Sequence, residues 1–121
     1  MTEATAKKAT PRKAPARKAD PFAAVLAEMG HAARQVGALP STLVGGNLPE
    51  RGTETYRRRA VEWDLINNTR RAGDVLGVDG LAVQVAFAAF GGRTVEEIRD
   101  GLVHLASLAV AAIGQIDRET K

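Results

Sequence analysis

A chain of 121 residues with 45% hydrophobic and only 4% aromatic side chains has the length for one domain, and its core must be built mainly from Ala, Val and Leu. It contains no cysteine, which excludes disulfides, thiolate zinc sites and cysteine nucleophiles. The formal charge of +3 is unevenly spread: residues 1–20 carry six basic groups against two acidic ones, and the remainder carries eleven against twelve, so charge provides no argument that the body binds nucleic acid.

Residues 1–19 combine Ala, Lys, Arg, Thr and two prolines without one large aliphatic or aromatic side chain after Met1, and are expected to form a disordered basic tail. A solubilising extension accounts for that composition. The functional alternative is a flexible arm in which Lys7, Lys8, Arg12, Lys13, Arg17 and Lys18 contact phosphates by counterion release. No apolar leader core is visible near the N-terminus, which points to a cytoplasmic location.

Asp20 followed by Pro21 reads as a helix start, with Asp20 as N-cap and Pro21 at the first helical position. Behind them Phe22, Val25, Leu26, Met29, Ala33 and Val36 recur at three- and four-residue spacing, and Gly37 ends the helix. From Ala38 to Gly52 two prolines and three glycines, including the Gly45–Gly46 pair, indicate an irregular connection: a linker, or a binding loop.

A second helix is expected from about Glu54 to Arg71, capped by Thr53 and closed near Gly73. Tyr56, Ala60 and Trp63 form one apolar line and Val61 with Leu65 another, so this helix has more than one neighbour to meet. Arg57, Arg58 and Arg59 point in three directions at about 100° per residue and read as a solvated face paired with Glu54 and Glu62.

Between Asp79 and Phe90 large and small side chains alternate, which is also a strand pattern. Helix is the better reading: Asp79 can cap it, Gly91 and Gly92 can close it, and no second strand exists to pair with it. Such a helix is apolar on nearly all sides and requires a central position or a partner chain. The run Gly80 to Gly92 is too short for a membrane span, which needs about 18–20 apolar residues.

Thr94-Val95-Glu96-Glu97 is a capping box that opens a final helix to about Asp117, with Ile98, Leu102, Leu105, Ala109, Ile113 and Ile116 as its main stripe. The short turn before it makes the last two helices an antiparallel hairpin. The fold class expected is therefore all-α, a small bundle of about four helices spanning residues 20–121.

Nucleotide-binding glycine loops and the serine nucleophile elbow are absent. His31 and His104 each lie on the polar side of a helix with no second histidine at ligand spacing and are expected to face solvent. The segments Asp74-Val75-Leu76-Gly77-Val78-Asp79-Gly80-Leu81-Ala82 and Ile98-Arg99-Asp100-Gly101-Leu102-Val103-His104-Leu105-Ala106, joined by a short turn, carry a resemblance. Their layout resembles the all-α nucleoside triphosphate pyrophosphohydrolases of the MazG-like type, in particular short actinobacterial and phage-type versions, over roughly Arg59 to Glu119.

That family is built on a Glu-Glu-x-x-Glu motif and a following Glu-x-x-Asp motif, whose carboxylates hold magnesium on a triphosphate. Matching the first motif places Val78, Asp79 and Ala82 on its three glutamates. Matching the second places Gly101 on its glutamate and His104 on its aspartate, with Asp100 beside the first. One retained carboxylate implies a degenerate, non-catalytic relative, with no cofactor.

Three functions follow in order. The first is a non-catalytic domain that forms a homo-oligomer or binds a protein partner through its apolar C-terminal hairpin. The second is a nucleic-acid-associated protein using the tail and Arg57 to Arg59, Arg70 and Arg71. The third is a magnesium-dependent pyrophosphohydrolase relying on Asp79, Glu97, Asp100 and His104.

Overall fold

The computed structural model describes residues 20–45 and 52–120. The basic tail, with Lys7, Lys8, Arg12, Lys13, Arg17 and Lys18, lies outside the described residues, as does the middle of the expected connection, 46–51. The described chain is all-helical: α1 (Ala23–Val36), α2 (Gly52–Ala72), α3 (Val78–Phe90) and α4 (Val95–Glu119), with no strand among the described residues. No helix there is long and apolar enough to cross a membrane.

The alternating segment around Phe87 is thus helical, and it is central: α2 packs along one side of α3 and α4 along the other. An apolar surface on every side is what such a position demands. By contrast, among the described helices α1 touches only α4, and lightly.

Helix boundaries show how the local signals work. Asp20 Oδ1 accepts the Phe22 N–H at 2.9 Å, and its carbonyl accepts that of Ala23 at 3.1 Å. The expected Asp20 cap is therefore corrected: Pro21 and Phe22 form a turn, and the helix begins at Ala23, two residues later than Pro21. Thr53 is likewise not a cap, since α2 already includes Gly52.

Asp79 does not cap α3 either: Gly77 holds the N-cap position in extended conformation without a side-chain bond, and Asp79 sits in the first turn. Thr94 does cap α4, accepting the Glu97 N–H at 3.0 Å. The reciprocal arm differs from the expected box, because Glu97 Oε1 accepts from the Arg93 N–H at 2.7 Å, one residue before the cap.

At the end of α2 the Val75 N–H donates to the Arg70 carbonyl at 2.9 Å and the Asp74 N–H to that of Arg71 at 3.1 Å. This is a Schellman closure, and its left-handed residue is Asp74, at φ 60°, where glycine is the usual occupant.

Seven of the described residues are buried: Val25, Asn67, Gly80, Ala89, Gly91, Ile98 and Gly114. Three of them are glycines, so helices approach one another through missing side chains. A methyl group on Gly101 would lie 2.6 Å from the Ala89 Cα, which fixes α4 directly against α3 at that level.

Candidate functional site

Two regions of the molecule are organised enough to act. The first is the crossing of α2 and α3. Asn67 lies on the line that Tyr56, Ala60 and Trp63 begin at four- and three-residue spacing, and it is 1% exposed. Its Nδ2 donates to the Gly80 carbonyl at 3.0 Å and to Gln84 Oε1 at 2.7 Å, and Gln84 Nε2 donates to Asp64 Oδ1 at 3.3 Å. Asn67 Oδ1 is buried, has no hydrogen-bond donor among the described residues and fills the space where a side chain at residue 80 would start.

Around this chain of amides the Arg70 guanidinium lies 5.4 Å from the centre of the Trp63 ring, and its Nη1 is 3.8 Å from Asp79 Oδ2. That ion pair is largely in solvent and contributes less than about 1 kcal/mol. Further along, Tyr56 meets Phe87 and Phe90 with ring centres 6.0 Å apart in each case. Arg57 is part-buried and donates from Nε to the Gly91 carbonyl at 3.1 Å. The Arg57 to Arg59 run is therefore not one solvated face: Arg57 serves the helix crossing, and Arg59 lies 3.9 Å from Glu62.

The second region is apolar. Between α1 and α4 an open groove of about 460 Å³ is lined by Phe22, Leu26, Met29, Val103, Ala106 and Val110, among others. Val25 is buried beside it, and the Phe22 ring reaches to within 3.3 Å of the position a Cβ on Gly114 would take. The α1 stripe is otherwise open, with Leu26 and Val36 exposed, as are Leu102, Val103 and Ile116 on α4. On α2 the second apolar line, Val61 and Leu65, is about three-fifths exposed, and no neighbour among the described residues covers it.

The four residues considered for metal-dependent chemistry fall in two places. Glu97, Asp100 and His104 follow one another at three- and four-residue spacing on one exposed face of α4. Asp79 is on α3, ten residues before Ala89, and Ala89 is level with Gly101; at 1.5 Å per residue it stands about 15 Å along the hairpin from Asp100. His31 is exposed as well.

Glu97 also borders an open cleft of about 540 Å³ with Asp64, but Arg57 and Arg93 share that lining, so the cleft is close to electrically neutral. Among the described residues no group of three or more His, Asp or Glu side chains is placed to hold a metal ion.

Sequence reasoning did not single out Asn67. Its signal was present: the Tyr56–Ala60–Trp63 line, extended by four residues, lands on a polar amide facing α3. Compared with known proteins, the chain matches no family model, no curated protein and no solved structure.

Proposed function

We propose that this chain is a non-catalytic helical module that works by association, its apolar surface being covered by another protein chain and in the first place by another copy of itself. One observation carries the reading. Among the described residues three apolar side chains, Val25, Ala89 and Ile98, are buried, whereas large aliphatic residues are exposed on every helix, among them Leu26, Val61, Leu65, Val78, Leu102 and Ile116.

Isolated exposed leucines are ordinary, but exposed aliphatic residues that line one open apolar groove, as Leu26 of α1 and Val103 of α4 do, mark a protein contact. Burial is worth about 25 cal/mol per Å² of apolar surface, so covering these faces stabilises the chain further. The Asn67 crossing supports a scaffold role for α2 and α3, since the Asn67 amide N–H groups are occupied in bonds to Gly80 and Gln84 that hold the two helices together.

The C-terminal half is read with this as a degenerate MazG-like hairpin. The support is the helix–turn–helix layout together with Val78, Ala82 and Gly101 standing where that family carries glutamates. Two measurements test the proposal. Sedimentation velocity from micromolar to millimolar concentration is expected to show mass rising above that of one chain; a monomer throughout removes the reading. Incubation with nucleoside triphosphates and magnesium is expected to release no pyrophosphate.

A further inference from the structure

We propose that the second copy docks on one particular face of α4, with its own α4 running antiparallel to the first. The inference rests on the association reading above and specifies its surface, its occupant and its direction.

The face is defined by what surrounds α4. At about 100° per residue, Gly101, which meets α3, and Gly114, which meets Phe22 of α1, lie some 140° apart around the helix, so α3 and α1 occupy nearly opposite sides. Two open faces remain between them. One carries Glu97, Asp100, His104 and Gln115 and is exposed and polar.

The other carries Leu102, Ala106, Ala109, Ile113 and Ile116, spaced by four, three, four and three residues. That is the seven-residue repeat of a helix whose seam is met along its length by another helix. Among the described residues nothing covers it: Leu102, Ala106, Ala109 and Ile116 are exposed and Ile113 is half-buried. The α1 groove opens onto the same seam through Ala106, so the apolar surface is continuous.

Charge selects the occupant. Arg99 and Asp117 stand at the two ends of this seam, eighteen residues or five full turns apart, and so on the same flank. A second α4 laid antiparallel with its Ile113 level with Leu102 brings Ala106 level with Ala109, small against small at the two-fold axis. It also sets Asp117 of each copy one residue from the level of Arg99 of the other. A parallel arrangement sets Arg99 level with Arg99 across the seam and leaves the Asp117 of each copy about 27 Å along the axis from the Arg99 of the other. The helix therefore carries both halves of one complementary interface, as a two-fold contact between identical chains requires. Antiparallel alignment also opposes the two helix dipoles.

The absence of native cysteine permits a direct test on the full chain. Arg99→Cys and Asp117→Cys chains, each verified as helical, are oxidised separately and as a mixture. A disulfide-linked dimer is expected from the mixture and from neither variant alone, because like positions are more than about 25 Å apart in the antiparallel pair. Self-linking of Arg99→Cys would replace the proposal with a parallel pair. Absence of any link, in a chain that sediments as a dimer, would move the interface to another face and leave the association reading standing; a wild-type monomer at every concentration would remove both. Ala109→Glu, at an exposed position of the single chain, is expected to keep the helical spectrum and weaken association at least tenfold, and unchanged association in that variant also overturns the seam.

Discussion

The α2–α3–α4 layer and the α1–α4 contact are made by the same chain in opposite ways. Where α3 meets its neighbours, backbones touch: a Cβ on Gly101 would sit 2.6 Å from the Ala89 Cα, and the Asn67 amide is locked to Gly80 and Gln84. Where α1 meets α4, one valine is buried, a phenylalanine ring leans on Gly114, and an apolar groove stays open. A contact between backbones admits one arrangement, whereas a contact between mobile side chains admits several. The first region therefore specifies the fold, and the second supplies surface.

The strongest way to break this contrast is to overfill the tight side. Gly101→Val places three extra carbons against the Ala89 backbone, and because neither helix axis can yield without opening the hairpin, a loss of about 3 kcal/mol is expected. Chemical denaturation at fixed protein concentration measures it as a lowered midpoint with an unchanged slope. A change below about 1 kcal/mol would mean that α3 and α4 are held apart in solution.

Next in size is Asn67→Ala. It removes the donor shared by the Gly80 carbonyl and Gln84 and leaves a void in the crossing, at an expected cost of about 2 kcal/mol. The same denaturation curve checks it, and hydrogen exchange should report the loss on α2 and α3 with little change on α1.

Most of the fold was legible in the sequence because its signals are local. The Thr94 cap, the three-to-four spacing of apolar residues in α1 and α4, and the glycines at Gly37 and Gly91 act within one or two turns, and the structure has them in those roles. Helix starts were less legible. Asp20 and Asp79 both have the right chemistry for a cap, but the first spends its carboxylate on a turn before the helix and the second faces Arg70 across the crossing.

The polar crossing was hidden for a different reason. Asn67 becomes informative only once Gly80, thirteen residues later, is known to lie against it, and no local pattern records that distance. Direction around α4 was hidden similarly: periodicity marks a broad apolar stripe, while the positions of α3 and α1 decide which part of it remains uncovered.

A gain is expected at the connection between α2 and α3. Asp74 holds a left-handed conformation, at φ 60°, that L-residues adopt at a cost, and glycine adopts it freely. Asp74→Gly is expected to stabilise the chain by about 1 kcal/mol, read as a raised denaturation midpoint. No gain would indicate that the aspartate side chain compensates for its own strain.

The smallest effect is the one that sharpens the comparison most. Gly114→Ala adds the same methyl group to the same helix as a change at Gly101, but here its nearest neighbour is the Phe22 ring at 3.3 Å rather than a backbone. A ring beside an open groove can turn away at little cost, and alanine favours the helix over glycine by about 1 kcal/mol. The net expectation is a gain of about 0.5 kcal/mol, measured by denaturation alongside Gly101→Val. A loss comparable to that at Gly101 would show that α1 is seated as firmly as α3, and the distinction between a layer that fixes the fold and a helix that offers surface would then disappear.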